Sequence, residues 1–116
     1  MENGKEKANT MQVLILNIHS IHLDFSEKPE YMDEERWKKT KRIKSEADKK
    51  RSCASGYLLW IMCQKMQIIA PSYGYTKKGK PYLQGVENLS FNLSHSGDYA
   101  VLAYHKNSPI GVDVEY

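Results

Sequence analysis

The stretch 89-LSFNLSHSGDYAVLAYH-105 determines the fold of the second half of the chain. Residues 89–93, with the sequence LSFNL, are predicted to form a strand, and residues 99–105 alternate small and large apolar side chains. Gly97 separates the two runs, and a glycine frees the backbone to bend at this point. We therefore predict two strands joined by the polar loop 94-SHSG-97.

Further strands are predicted on both sides of this pair. Residues 11–18, with the sequence MQVLILNI, form a short apolar run that is typical of a buried strand. The segment 77-KKGK-80 is a turn signal between the short runs at 73–76 and 82–85. Residues 110–115 alternate apolar and polar side chains, which predicts a last strand.

Two helices are predicted between the first strand and the others. Residues 31–43 carry acids at their start and bases at their end, which suits the helix dipole. Ser45 is a candidate N-cap for a second helix over residues 46–67, whose apolar positions recur at spacings of three, four and seven. Gly56 in this helix suggests the close approach of another backbone. The chain is thus predicted to be one α+β domain, with helices packed on a small antiparallel sheet. The apolar positions of the second helix are Ala47, Ala54, Leu58, Ile61, Met62 and Met66.

The composition is that of a soluble globular protein. Its 116 residues suffice for one small domain, with 41% hydrophobic and 27% charged residues. Apolar runs such as 57-YLLWIM-62 are far too short to span a bilayer. Residues 1–10 are polar and lack the apolar core of a signal peptide, so we expect a disordered leader before a domain over residues 11–116. We expect a cytoplasmic location and no membrane partner.

The two cysteines, Cys53 and Cys63, agree with a cytoplasmic location. They are ten residues apart in one predicted helix, so they are separated by about 15 Å along its axis. This distance is too long for a disulfide bond. We expect both to be small buried apolar side chains.

Basic residues cluster on the two predicted helices. Such a cluster is either a solvated helical face or a surface for an anionic partner. Glu46 and Asp48 interrupt it, and the sequence contains no recognised nucleic-acid-binding motif, so we expect no nucleic-acid partner. The cluster comprises Arg36, Lys38, Lys39, Lys41, Arg42, Lys44, Lys49, Lys50 and Arg51.

Two acidic residues share one face of the last predicted strand. Asp113 and Glu115 are separated by one residue, which places their Cα atoms about 6.5–7 Å apart on the same side. Adjacent carboxylates repel, and a divalent cation such as Mg²⁺ relieves that repulsion. The alternative is a solvent-facing edge strand with two ordinary acids.

The loop 94-SHSG-97 carries candidate anion-binding groups. A histidine between two serines at the end of a strand can bind an anion through neutral and charge-assisted hydrogen bonds. The alternative is an ordinary polar turn. Ser94 and His95 do not form a convincing nucleophile–base pair, because no third group that would orient the histidine can be identified.

Three stretches in order, 79-GKPYL-83, 91-FNLSHSGDY-99 and 109-PIGVDVE-115, closely resemble motifs of the 4′-phosphopantetheinyl transferases of the surfactin-synthetase type. These enzymes move the phosphopantetheine arm of coenzyme A onto a serine of an acyl or peptidyl carrier protein. The resemblance covers residues 36–115 approximately. It implies one half of a two-fold pseudo-symmetric fold, with coenzyme A as substrate, Mg²⁺ as cofactor and an apo carrier protein as partner.

The resemblance also implies a role for particular residues. Lys80 and Pro81 would border the adenine and the phosphates, and Ser94 and His95 would contact phosphates. A further basic set would hold the ribose phosphate, and the acidic pair would bind the metal. The basic set is Arg36, Lys39 and Arg51; the metal ligands are Asp113 and Glu115; the catalytic candidates are Asp113, Glu115 and His95.

One motif of the family is absent from this sequence. Family members are about twice as long and carry a later helix with the pattern W-x-x-K-E-x-x-x-K, whereas Trp37 and Trp60 are not followed by Lys-Glu at that spacing. That helix supplies a third acidic ligand, often assigned as the base. We therefore expect the N-terminal half of a transferase, completed by a second half-chain or by self-association. The alternatives are a truncated inactive fragment and a coenzyme A-binding module without catalysis.

Overall fold

The computed structural model describes residues 11–106. Over this range the chain forms an α+β domain with a three-stranded antiparallel sheet of order β1-β5-β4 and a separate β2-β3 hairpin. A short 3₁₀ turn, Ile18–Ser20, follows the first strand. The elements are β1 (Gln12–Asn17), α1 (Glu34–Arg42), α2 (Glu46–Lys65), β2 (Tyr73–Tyr75), β3 (Pro81–Leu83), β4 (Leu89–Ser96) and β5 (Tyr99–Lys106).

The helix-on-sheet architecture confirms the α+β prediction for the described residues. The leader over residues 1–10 and the strand predicted at residues 110–115 lie outside them. Within residues 11–106, no helix has the length and apolar content needed to cross a membrane.

The β4–β5 hairpin is longer than predicted. Ser96 pairs with Tyr99 in the last step of the ladder, so Gly97 and Asp98 alone form the connection. Gly97 has a φ of +60°, which a glycine adopts without a Cβ clash. The prediction of a loop at 94-SHSG-97 is wrong for its first three residues. Their polarity suggested a loop, but β4 lies at the edge of the sheet formed by residues 11–106. At an edge, a strand can pair its backbone while its polar side chains remain solvated.

One face of the sheet packs on α2 and forms the main core. Leu102 is the central residue of this face, since it pairs with Leu14 on one side and Leu93 on the other. From α2, Leu59 and Met62 are almost completely buried against it. The sheet and the second helix therefore stabilise each other through one continuous apolar layer. The buried members are Ile18, Ala54, Leu58, Leu59, Met62, Cys63, Ala100, Leu102 and Tyr104.

A second cluster covers the opposite side of α2. Cys53 is buried there with Met32 and Trp37, and the Trp37 ring stacks on Phe25 with 5.3 Å between centroids. The prediction of a single apolar stripe on α2 is therefore incomplete, because the helix is covered from two directions. Ala47, which was assigned to the stripe, is exposed.

Both helices begin at capping residues. Asp33 accepts a hydrogen bond from the Arg36 amide at 3.3 Å, and Ser45 accepts one from the Asp48 amide at 3.2 Å. Ser45 was predicted as the cap of α2, and this is confirmed. Helix α1 starts three residues later than predicted, because Asp33 caps it. Helix α2 ends before Gln67, whose φ of 60° is incompatible with a helix.

Gly56 marks the crossing of the two helices. A Cβ atom at this position would lie 3.0 Å from Met32 Sδ and 3.1 Å from Arg36 Cδ. The predicted close approach is thus made by side chains that precede or belong to α1, and the expectation of another backbone is wrong. A bond between the hydroxyls of Thr40 and Ser52 further joins the helices.

Cys53 and Cys63 are both free and buried, as predicted. Burial raises the pKa of both thiols. They are therefore held in the protonated form and act as packing residues.

We predict that Leu102→Ala lowers the free energy of unfolding by about 2–5 kcal/mol, because it removes a fully buried side chain from the centre of the core. Urea unfolding monitored by circular dichroism measures the loss. Ile15→Ala, at a β1 position that is 62% exposed, should change the same quantity by less than about 1 kcal/mol. Equal effects of the two substitutions would contradict the assignment of the core face.

Candidate functional site

A groove of about 360 Å³ lies between the helices, the β2–β3 hairpin and β4. Four of the residues predicted to contact the substrate are among those that line it: Arg36, Lys80, Pro81 and His95. They come from α1, the hairpin turn, β3 and β4, so only the folded chain brings them together. The complete lining is Arg36, Ser55, Lys78, Gly79, Lys80, Pro81, Phe91, Asn92, Leu93 and His95.

Arg36 reaches the groove across Gly56. Its side chain passes over α2 where the missing Cβ leaves room, with Cδ against the glycine. Its Nε atom is buried and has no hydrogen-bond partner among residues 11–106. A buried donor of this kind is expensive unless a ligand or water satisfies it. The side chain as a whole is half-buried and lines the groove, so its positive charge is suited to an anion there.

The hairpin turn holds Lys80 in place. Thr76 donates its amide to the carbonyl of Lys80 at 2.9 Å, and its Oγ1 accepts the Lys80 amide at 3.0 Å. Gly79 has a φ of +88°, which closes the turn in a conformation that side-chain-bearing residues rarely adopt. Pro81 follows as the buried first residue of β3. The backbone of the turn is thus fixed at the groove wall.

His95 faces the helices from the end of β4. It pairs with Ala100, and alternation along β4 places it on the same face as Leu93 and Phe91. Burial lowers the pKa of His95, and the positive charges of Arg51 and Arg36 lower it further, while Asp48 opposes them. The imidazole consequently favours its neutral form in the free protein. An anion bound here would reverse that balance.

Three other predicted residues lie outside the lining. Ser94 pairs with Val101, so its side chain lies on the opposite face of the sheet from His95. Lys39 Nζ lies 4.7 Å from the centre of the Tyr75 ring. Arg51 forms an ion pair with Asp48 at 2.7 Å, close enough to His95 to lower its pKa.

Tyr75 ties the hairpin to the start of α1. Its hydroxyl is 2.9 Å from both carboxylate oxygens of Asp33, the residue that caps α1. Burial raises the pKa of Tyr75, which keeps the phenol protonated and able to donate. The same contact aligns Lys80 and Arg36 on opposite walls of the groove.

Ser55 and Lys78 are among the lining residues that the sequence analysis did not assign to the site. Ser55 is buried on α2, and it lies four residues after Arg51 on the same helical face, so helical periodicity could have identified it. Lys78 belongs to the turn that also carries Lys80. The sequence shows that it is basic, but not that its side chain points into the groove.

The predicted metal ligands cannot be located in this way. Asp113 and Glu115 lie outside the described residues. Among residues 11–106 there is no group of three or more His, Cys, Asp or Glu side chains that could hold a metal ion.

Comparison with known proteins supplies independent information. Residues 19–107 match the family model described as 4′-phosphopantetheinyl transferase, N-terminal. A 4′-phosphopantetheinyl transferase of Bacillus subtilis is 32% identical over 84 residues, which cover 70% of this chain and 37% of that protein. A phosphopantetheinyl transferase of Thraustochytrium sp. is 30% identical over 88 residues, which cover 72% of this chain and 31% of the relative.

A shorter region is similar to an animal protein. The L-aminoadipate-semialdehyde dehydrogenase-phosphopantetheinyl transferase of Xenopus laevis is 48% identical over 44 residues, or 34% of this chain and 15% of that protein. The chain thus spans about a third or less of the length of these curated relatives. The family match includes every residue of the groove and ends at residue 107.

We predict that Arg51→Gln raises the pKa of His95 toward its ordinary value of 6.5, because a neighbouring positive charge is removed. Titration of the His95 ring resonances by NMR measures this shift. Arg42→Gln, at the end of α1, removes an equal charge and should leave the His95 pKa unchanged. The same shift in both variants would show that the effect is only a change of net charge.

The lowered pKa of His95 also has a consequence for stability. The imidazole takes up its proton more readily in the unfolded chain than in the folded one. The contribution of His95 to the free energy of unfolding is therefore fully present above about pH 6.5 and is lost as the pH falls below that value. His95→Gln should remove this part of the acid destabilisation, which urea unfolding between pH 5 and pH 8 would detect.

Proposed function

Since the chain belongs to the 4′-phosphopantetheinyl transferase, N-terminal, family, we propose that it is the coenzyme A-binding half of such a transferase. The whole enzyme would move the phosphopantetheine arm of coenzyme A onto a serine of an apo acyl or peptidyl carrier protein. This chain would contribute one half of a two-fold pseudo-symmetric fold. The second half would come from another polypeptide segment or from a second copy.

The observation that supports the proposal best is the convergence of Arg36, Lys80 and His95 on one groove. Coenzyme A carries a pyrophosphate and a separate ribose phosphate, so its binding requires positive donors that are dispersed over several positions. Here the donors come from a helix, a turn and a strand, so the positive charge is distributed over three elements around the groove. The groove also has apolar walls, including Phe91 and Leu93, that suit an aromatic base.

Each donor has a proposed task. Lys80 and Pro81 would border the adenine and the adjoining phosphates, as the family resemblance implies. Arg36, which lines the groove, would bring the positive charge of its guanidinium to a phosphate, and Arg51 would add positive charge beside His95. Lys78 would add positive charge to the wall of the groove that contains Lys80, since it lies two residues before Lys80 in the turn.

His95 would act as a donor whose charge depends on the ligand. Its pKa is lowered in the free protein by burial and by the two arginines. A phosphate placed between these groups would favour the imidazolium form, which donates from both nitrogens. Binding of the anion would therefore be accompanied by proton uptake near neutral pH.

Lys39 and Ser94 remain part of the proposed site. Lys39 contacts Tyr75 in the hairpin whose turn forms one wall of the groove, and its long side chain would reach a phosphate from there. Ser94 precedes His95 on the edge strand β4, but its side chain lies on the opposite face of the sheet. Its proposed phosphate contact rests on the family resemblance alone.

Asp113 and Glu115 are the proposed Mg²⁺ ligands. Paired carboxylates match the preference of Mg²⁺ for oxygen ligands, and the ion would supply positive charge beside the pyrophosphate. Both residues lie outside the described part of the chain, so this assignment rests on their spacing and on the family resemblance. A third acidic ligand and the general base would belong to the other half of the enzyme.

The outer face of the sheet supports the need for a second half. Val13 and Ile15 on β1 are 53% and 62% exposed, and they pair with Ala103 and Val101 of β5 on the same face. Apolar side chains that line up in this way are unfavourable in water and favour a covering partner. An inactive fragment, or a module that binds coenzyme A without transfer, is the alternative.

We predict that Lys80→Gln and Arg36→Gln each weaken binding of coenzyme A by about tenfold, because each removes one charge-assisted contact to a phosphate. Isothermal titration calorimetry with the isolated chain measures the change. Lys65→Gln and Arg42→Gln are matched controls at exposed helix ends away from the groove and should bind like the wild type. An unchanged affinity in both groove variants would rule out this groove as the phosphate site.

A transfer assay tests the complete reaction. We expect a carrier protein incubated with coenzyme A, Mg²⁺, this chain and a second-half polypeptide to gain the mass of phosphopantetheine on its serine. The chain alone should give much less product, because general base assistance is commonly worth about 10²–10⁴-fold. If neither mixture produces a mass gain while coenzyme A still binds, the binding-module alternative is correct.

A further inference from the structure

A second cavity lies at the far end of α2 from the groove. It has a volume of about 450 Å³ and is lined by the segment before α1, the last turns of α2 and the connection to β2. We call it the acidic pocket and define it by Glu30, Tyr31, Asp33, Trp60, Gln64 and Tyr73. None of these residues belongs to the lining of the groove.

The charge of the acidic pocket is opposite to that of the chain as a whole. Among the residues that the structure describes, its lining contains the carboxylates of Glu30 and Asp33 but no lysine, arginine or histidine, whereas the chain has a formal net charge of +3. Asp33 is already occupied by the Tyr75 hydroxyl and the Arg36 amide. Glu30 is exposed and has no hydrogen-bond or ion-pair partner within residues 11–106. It is therefore the carboxylate available to a ligand.

Aromatic rings and a helix end add to this preference. Trp60 and Tyr31 line the pocket, and the Tyr57 ring contacts both of them. Its centroid lies 5.9 Å from that of Trp60 and 5.3 Å from that of Tyr31. Aromatic faces attract organic cations, most strongly the indole face. The carboxyl-terminal end of α2 also contributes to the lining, and its dipole is negative at this end.

The rim of the pocket contains two residues with left-handed backbone angles. Gln67 and Ala70 adopt left-handed backbone angles, with φ of 60° and 52°. This conformation is unfavourable for residues other than glycine, and it is maintained here by the Ile68 amide, which donates to the Cys63 carbonyl at 2.9 Å.

From these observations we infer that the acidic pocket binds an organic cation, namely an alkylammonium or alkylguanidinium group. Its charge would pair with Glu30 and its apolar surface would lie against Trp60. The group could come from a small molecule or from a lysine or arginine side chain of a protein partner. Lys28 shows that this region already attracts an ammonium group, since its Nζ lies 2.7 Å from the Met32 carbonyl, but Lys28 does not line the pocket. The inference does not depend on the proposed transferase function.

NMR titration tests the inference with the intact chain. n-Butylguanidinium and n-butylammonium should shift the indole N–H resonance of Trp60, while the neutral isostere pentanamide should not. The resonance is assigned with Trp60→Phe, and the resonance of Trp37, which is buried against Phe25, serves as an internal control. Equal shifts from pentanamide, or no shift from either cation, would overturn the inference.

Two substitutions examine the residues involved. Glu30→Gln is an exposed, isosteric change that should leave the fold intact and weaken cation binding about threefold. Trp60→Leu, in which binding is followed through the backbone amide resonance of Gln64, should weaken it by a similar factor through loss of the aromatic face. Glu87→Gln is the matched control on an exposed loop and should have no effect. Equal affinity for the cations in all three variants would place the binding elsewhere and refute the assignment.

The source of the cation is distinguished with peptides. A short peptide that contains one arginine should compete with n-butylguanidinium at the Trp60 resonance if the ligand is a protein side chain. If the free cations bind and the peptide does not, the pocket selects a small molecule. Coenzyme A should leave the Trp60 resonance unchanged, so failure of this inference is separable from failure of the proposed function.

Discussion

Burial of α2 from two directions is the constraint on which the rest of the structure depends. Leu59 and Met62 contact the sheet around Leu102, while Cys53 packs with Met32 and Trp37 on the other side. A small domain has little apolar surface to bury, so a helix covered on both sides contributes a large share of its stability. The packing also fixes where α1 crosses α2, and that crossing forms the wall of the groove.

The crossing explains how one glycine influences a binding site. At Gly56 the absent side chain leaves room for Arg36 to lie across the helix, which brings its guanidinium to the groove. The hairpin is then positioned by the bond between Tyr75 and Asp33, the cap of α1. Both walls of the groove therefore depend on the first turn of one short helix. A change in the Asp33 cap would affect helix stability and groove shape together.

Charge is divided between two sites at different ends of α2. The groove contains the cationic side chains of Arg36, Lys78 and Lys80, while the acidic pocket contains Glu30 and Asp33 and has no basic residue from the 11–106 range in its lining. A modest net charge of +3 thus conceals two regions of opposite sign. Each would attract a different ligand, because the local field rather than the total charge determines which ion binds.

Local sequence patterns determined the elements of this protein, and tertiary contacts determined the site. The strand runs, the Ser45 cap and the 77-KKGK-80 turn depend on interactions between near neighbours, so the sequence predicted them well. The direction of a side chain depends on register and on packing between distant segments. The sequence therefore could not show that pairing with β5 continues through Ser96, or that His95 and Ser94 lie on opposite faces of the sheet. Arg36, Lys80 and His95 are spread over about 60 residues of sequence, and only the packing of α1, the hairpin and β4 around α2 places them together.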